Sequence, residues 1–165
     1  MYYLIKFKKG GIIMAENQYV VFKLGKSEFG IDIMNVKEIG PYEEAVSLPN
    51  TPSFIEGVIN YRGKVIPVIN LIKRLGLGEK NITKDTRIIV ITLNEKEVGF
   101  IVDEASQTIR VSDEQIDPAP SFISGVDKRY ISGVGKLDDK RLLILIDLEK
   151  VLTDDEIEEI EKLEV

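Results

Sequence analysis

Apolar residues in this chain come in short runs that turn residues separate, a pattern typical of β-strands. The turn signals LGKSE (24–28) and LNEKE (93–97) predict two hairpin loops. The run RLLILIDL (141–148) lacks a clean apolar–polar alternation, so we expect both of its faces to be covered. The predicted strands are rich in β-branched residues: YVVFKL (19–24), EFGIDIMNV (28–36), GKVIPVINL (63–71), TRIIVITL (86–93), EVGFIV (97–102), QTIRV (107–111) and RLLILIDL (141–148).

Segments of the first half of the chain recur in the same order in the second half, which indicates two related β units. The longest match places Glu28 opposite Glu97 and Gly30 opposite Gly99. The matched segments are VVFKLGKSEFGIDI (20–33) with IVITLNEKEVGFIV (89–102), PSFIEGV (52–58) with PSFISGV (120–126), IEGV (55–58) with ISGV (131–134), and INLIKRL (69–75) with IDLEKVL (146–152).

Each half has the pattern of a hairpin, a loop, a strand, a glycine turn, a second strand and a short helical turn. About five strands in roughly 65 residues is the size of a small closed barrel, and closure would remove apolar sheet edges. We therefore predict a mostly β fold of two tandem five-stranded barrels, over about 17–84 and 85–153.

The two ends of the chain differ from this body. Thr153 with Glu156 forms a capping box, which predicts an acidic C-terminal helix over 154–165 with its apolar stripe at Ile157 and Ile160. Residues 1–16 are interpreted as an N-terminal extension, with Met14 as a candidate start; an added edge strand from YYLIKF is the alternative. The extension lacks the pattern of a signal peptide.

Charge excludes several kinds of partner. The net charge is −6, and Thr153–Val165 alone carry seven acids and one lysine, so residues 1–152 are neutral. A neutral body without a basic stripe argues against nucleic acid as the partner and supplies no polybasic membrane anchor. Because no apolar stretch is long enough to span a bilayer, we expect no insertion into the membrane.

Composition also argues against catalysis. The chain has no histidine and no cysteine, which removes the usual bases, thiolate nucleophiles and zinc ligands. No Walker-type or dinucleotide-binding glycine loop is present. We therefore expect no catalytic residues, no cofactor and no metal.

The most unusual stretch is GVINYRGKVIPVINLIKRLGL (57–77), which places Arg62 in the middle of apolar strands. Gly63 allows a tight turn, and Pro67 predicts an edge, bulge or corner in the following strand. An arginine that is partly buried here needs an acidic partner, for which Glu38 is the candidate. The alternative is a solvated arginine at a β-turn.

Together these segments resemble the CheW-type chemotaxis coupling family. The resemblance rests on residues 57–77, on FGIDIMNVKEI (29–39), on VGFIVDEA (98–105) and on LLILIDLEKVL (142–152), and it covers about residues 17–153. Small departures from the family pattern are Tyr61, Ala105 and Asn70, the last of which lacks a carboxylate that the family usually has.

The resemblance implies two SH3-like barrels with a hydrophobic core between them and strands that can cross between barrels. It implies a cytoplasmic, non-enzymatic adaptor that couples the tips of chemoreceptors to the regulatory domain of the histidine autokinase CheA in membrane-associated arrays. The implied receptor-binding groove, which includes a Glu38–Arg62 ion pair, consists of Ile33, Val36, Glu38, Arg62, Gly99 and Val102. The alternative function is a detached regulatory module that binds receptor without bridging to kinase.

Overall fold

The computed structural model describes residues 5–7, 13–118, 128–138 and 140–162. Within these residues the chain forms β-strands, short 3-10 turns and two α-helices, α1 (Leu71–Arg74) and α2 (Asp154–Glu161). In chain order the strands are β1 (Ile5–Phe7), β2 (Ile13–Leu24), β3 (Ser27–Asp32), β4 (Glu38–Pro41), β5 (Ile55–Tyr61), β6 (Lys64–Asn70), β7 (Arg87–Leu93), β8 (Lys96–Val102), β9 (Glu104–Ser112), β10 (Ile116–Asp117), β11 (Ile131–Lys136) and β12 (Leu142–Ile146).

The strands form two sheets. The five-stranded sheet has the order β4-β7-β8-β6-β5 and comes from one continuous part of the chain. The second sheet has the order β1-β2-β3-β12-β11-β10, with β9 also paired to β2, so it combines the two ends of the chain. In each sheet one pairing is parallel, β6 with β8 and β12 with β3, while the hairpins are antiparallel.

The two halves of the sequence exchange their first hairpins. Hairpin β2–β3 pairs with β9 and β12 of the second half, and hairpin β7–β8 pairs with β4 and β6 of the first half. The expected boundary near residue 84 therefore does not separate the two sheets. Because the two hairpins are related repeats, their sequences alone do not show which set of strands each one joins.

The registers of the two sheets are equivalent. Val68 lies opposite Gly99 in one parallel pair, and Leu145 lies opposite Gly30 in the other. These are the glycines that the repeat alignment matches. A Cβ at Gly30 would come within 2.8 Å of Leu143 Cδ2, and one at Gly99 within 2.8 Å of Ile88 Cγ2. Both glycines therefore permit a close approach of side chains across their sheets.

The core consists of three clusters of buried side chains. One belongs to the five-stranded sheet and includes Ile66, Val68 and Ile101, and another belongs to the second sheet and includes Val21 and Leu143. The largest cluster draws on both sheets, so it packs them against each other. It includes Phe22, Phe29, Ile69, Phe100, Val102, Ile146 and Ile160. Each such large apolar side chain contributes about 1.5–3 kcal/mol when fully buried.

Pro67 lies at a position of β6 where the backbone pairs with only one neighbouring strand. It pairs with Val58 of β5, and the parallel pairing of β6 with β8 begins at Val68. The absent N–H therefore precedes the ladder with β8. Strand β6 has a paired neighbour on both sides only after Pro67. The proline therefore fits inside this apolar run without interrupting the ladder with β8.

Helix α2 ties the end of the chain to the five-stranded sheet. The predicted capping box is present, with Thr153 accepting from the backbone N of Glu156 and the Glu156 carboxylate accepting from the backbone N of Thr153. Arg74 of α1 donates to Glu156 at 2.9 Å, and Ile160 is buried in the largest cluster. Residues 163–165 of the predicted helix lie outside the described residues.

The N-terminal extension takes part in the fold. Ile5–Phe7 pair with Ile13–Ala15 as an edge strand, which is the alternative that the sequence left open. The first long strand accordingly begins at Ile13, before the start of the predicted strand YVVFKL (19–24).

Candidate functional site

The start of β4 and the β5–β6 turn bring Glu38 and Arg62 together. The Arg62 guanidinium Nη2 donates to Oε1 of Glu38, so the two residues form an ion pair. The Arg62 side chain is 70% exposed and the Glu38 side chain 32% exposed. Exposed ion pairs contribute little to stability because water screens them, so this pair adds little to the free energy of unfolding.

Arg62 occupies a backbone conformation that most residues avoid. Its φ is +50°, and Gly63 follows with a φ of +83°, as in the tight turns that connect twisted hairpins. Oδ1 of Asn60 accepts from the Gly63 backbone N at 3.0 Å and stabilises the turn. The guanidinium also lies over the Tyr61 ring, 5.7 Å from Cζ to the centroid. Glycine, asparagine or aspartate would fill the position of Arg62 with less strain.

The expected apolar residues Ile33 and Val36 lie just before β4. Ile33 belongs to the one-turn 3-10 helix Ile33–Asn35, which the Asp32 carboxylate caps by accepting from Met34 N at 3.0 Å. Both side chains are half-buried against the largest core cluster, while Met34 between them is exposed. The segment therefore leads from an apolar surface into the charged start of β4.

Gly99 and Val102 differ from the expectation. Both are buried in β8, and Val102 has no exposed surface. Strand β8 lies between β7 and β6, and both of its faces are covered by core clusters. The structure therefore shows these two residues inside the sheet rather than on its surface.

A second cluster of charges beside the pair was missing from the sequence analysis. The Glu97 carboxylate at the start of β8 accepts from Lys37 Nζ at 2.9 Å and from Lys64 Nζ at 3.3 Å, both on Oε1. Its side chain is only 8% exposed. The hydrogen bond from Lys37 holds the pKa of Glu97 below its usual value, and Lys64 adds to the effect. The repeat alignment that matches Glu97 with Glu28 was the available signal.

The equivalent glutamate of the second sheet has a different partner. Arg141 donates to Glu28 through Nε at 3.0 Å and through Nη2 at 2.7 Å, so both carboxylate oxygens are bonded. Arg141 corresponds to Lys64 when β12 is aligned with β6. One bidentate arginine thus takes the place of two lysines.

This surface combines charged and apolar side chains. Among the described residues, no group of three acids could hold a metal ion, and no helix is long and apolar enough to cross a membrane. The surface offers an exposed arginine, a partly exposed acid and neighbouring half-buried apolar side chains.

Comparisons with known proteins agree with the family resemblance that the sequence motifs indicate. Residues 18–156 match the family described as the CheW-like domain. The chain is 40% identical over 141 residues to chemotaxis protein CheW of Klebsiella aerogenes, covering 84% of this chain and 83% of that protein. It is 39% identical over 140 residues to chemotaxis protein CheW of Bacillus subtilis, covering 85% and 89%.

A solved structure has the same fold. The crystal structure of the scaffolding protein TtCheW from Thermoanaerobacter tengcongensis matches with a TM-score of 0.77 and 36% identity, covering 85% of this chain and 94% of that one. The predicted fold class, mostly β with two SH3-like barrels and a C-terminal helix, is thereby confirmed.

Proposed function

The chain belongs to the CheW family of chemotaxis proteins, and we propose that it couples the cytoplasmic tips of chemoreceptors to the regulatory domain of the histidine kinase CheA. The proposal describes a scaffold without catalytic activity. It places the chain in the cytoplasm, associated with membrane receptor arrays through its protein partners.

The observation that carries the receptor site is the conformation of Arg62. An exposed arginine at φ +50° strains the turn, and its ion pair with Glu38 is too exposed to offset much of that strain. Folding alone would favour glycine or asparagine here. A binding role explains why the turn carries a guanidinium, because its fork of donors suits a carboxylate or backbone oxygens on a partner.

We assign the receptor surface to Ile33, Val36, Glu38 and Arg62. The half-buried apolar pair would pack against an apolar strip of the receptor, and the charged pair would fix its orientation. Arg62 can exchange Glu38 for a receptor acid without unfolding the strand, since the backbone of Lys37 donates to Val90 O at 2.8 Å independently of the pair.

Pull-down of the full chain with a receptor-tip fragment and, separately, with the CheA regulatory domain tests the proposal. Arg62→Glu should abolish receptor binding and leave kinase binding intact. Lys26→Glu is the matched control, because it makes the same charge change in the exposed β2–β3 turn and should change neither. Receptor binding that survives Arg62→Glu would refute the assigned site.

The charge-exchanged double variant Glu38→Arg with Arg62→Glu separates two roles of the arginine. It can restore the ion pair while reversing the charges that a receptor meets. If Arg62 contacts the receptor, binding stays lost in the double variant; if the pair only holds the shape of the surface, the restored ion pair recovers binding. A chain that binds receptor but fails to bring receptor and kinase into one sedimenting complex would instead be the detached regulatory module.

A further inference from the structure

Glu97 contacts the two chain segments that carry Glu38 and Arg62. Its two lysine partners flank the Glu38–Arg62 pair in sequence: Lys37 directly precedes Glu38, and Lys64 follows Arg62 by one glycine. Three ion pairs and two short chain segments therefore link these residues in a closed network at one end of the five-stranded sheet. The network consists of Lys37, Glu38, Arg62, Lys64 and Glu97.

The strand order shows which strands this network connects. Strand β8 lies between β7 and β6, and β4 lies at the outer side of β7. Lys37 therefore reaches across β7 to Glu97, while Lys64 reaches Glu97 from β6. One carboxylate connects the outer strand that carries Glu38 to the strand that follows the Arg62 turn.

The Glu97 carboxylate is better suited to hold this geometry than the pair itself. Glu97 is 8% exposed, whereas Glu38 and Arg62 are 32% and 70% exposed. Oε2 of Glu97 is buried and accepts no hydrogen bond from the described residues, so the carboxylate depends on the two ammonium groups for compensation. Loss of either lysine contact would destabilise this arrangement.

We propose that Glu97 is a positioning residue for receptor docking, holding the start of β4 through Lys37 so that Glu38 faces Arg62. This inference rests on the proposed receptor function of that pair. It gives the surface two layers: a buried carboxylate that keeps the strand in place, and an exposed pair that can open when the receptor binds.

The repeat supplies a matched control. Glu28 is the equivalent residue of the second sheet, where its carboxylate accepts two hydrogen bonds from Arg141. Glu28→Gln removes the same charge from an equivalent strand position but leaves β4 untouched. Any general effect of losing a partly buried ion pair should therefore appear equally in Glu97→Gln and Glu28→Gln.

The experiment measures the affinity of the full chain for a receptor-tip fragment and for the CheA regulatory domain by titration calorimetry. Glu97→Gln should weaken receptor binding by about fivefold to tenfold and change kinase affinity by less than about twofold. Glu28→Gln should leave both affinities unchanged. In the Arg62→Ala background, Glu97→Gln should have no further effect on receptor binding, since both act through one surface.

Three results would overturn the inference: equal loss of both affinities in Glu97→Gln, equal loss of receptor affinity in Glu28→Gln, or full additivity with Arg62→Ala. Lys37→Gln serves if Glu97→Gln misfolds, because the Lys37 side chain is 47% exposed and its substitution should reproduce the selective loss. Failure of the proposed function is distinguishable, because Arg62→Ala would then leave receptor affinity unchanged by itself.

Discussion

The two sheets are built from the same repeat, yet their equivalent charged positions differ. In the second sheet Arg141 saturates both oxygens of Glu28 and joins two neighbouring strands. In the five-stranded sheet Glu97 accepts from Lys64 of β6 and from Lys37, which directly precedes β4. The repeat therefore sets a common scaffold, while a few substitutions at one sheet end change which cations hold the equivalent glutamate.

The largest difference in stability between equivalent substitutions is expected at the matched glycines Gly57 and Gly133. A Cβ at Gly57, where φ is +151°, would lie 2.1 Å from the backbone O of Val46. At Gly133 the nearest atom would be 2.9 Å away, without an unusual φ. Gly57→Ala should lower the free energy of unfolding by about 3 kcal/mol or more, and Gly133→Ala by about 1–2 kcal/mol, in urea titrations. Equal losses would contradict the difference.

A smaller contrast concerns the helix caps Asn70 and Asp147. Asn70 Nδ2 donates to the Glu56 carboxylate at 2.9 Å, which also accepts from Lys80 at 2.7 Å. Asn70→Asp would place two partly buried carboxylates together and should cost about 2 kcal/mol at neutral pH. An amide at position 70 can donate to Glu56, which a carboxylate at neutral pH cannot do.

The converse substitution Asp147→Asn should cost less than about 0.5 kcal/mol, because its oxygen still accepts from Glu149 N at 3.0 Å. Thermal unfolding measures both variants. Adding Glu56→Gln to Asn70→Asp should recover most of the loss, and a double variant no better than Asn70→Asp would argue against repulsion as the cause.

Acid should weaken both glutamate sites. Lys37 and Arg141 hydrogen bonds lower the pKa values of Glu97 and Glu28 in the folded state. Their stabilisation is therefore fully present above the unfolded pKa of about 4.3 and is lost as the pH falls through the lower folded value. The stability gap between wild type and Glu97→Gln or Glu28→Gln should close in urea titrations at acid pH. A gap that stays constant with pH would show that charge is not its origin.

The smallest effect on stability is expected at Arg62. Arg62→Gly relieves the positive φ and removes an exposed ion pair and the contact with the Tyr61 ring, so the melting temperature should stay the same or rise. Receptor affinity should nevertheless fall if the proposed surface is correct. A clear drop in melting temperature would instead make the arginine a structural residue.

Much of the fold could be predicted from local patterns. Both hairpins, the C-terminal capping box and the strand character of the apolar runs depend on neighbouring residues, and the structure contains them. The Glu38–Arg62 contact was suggested by a charge between apolar residues. The burial of Gly99 and Val102 could not be predicted from the sequence, because an apolar strand with a glycine fits either a groove wall or a covered central strand.

The sequence by itself determined the β units, their repeat and the charged turn at Arg62, since period, turn chemistry and composition act over a few residues. Only the tertiary structure decided that the hairpins exchange sheets and that Lys37, Lys64 and Glu97 converge. The parallel pairings and the lysine contacts join residues far apart in the chain. Their formation depends on how two similar hairpins pack onto a shared core, which no local pattern specifies.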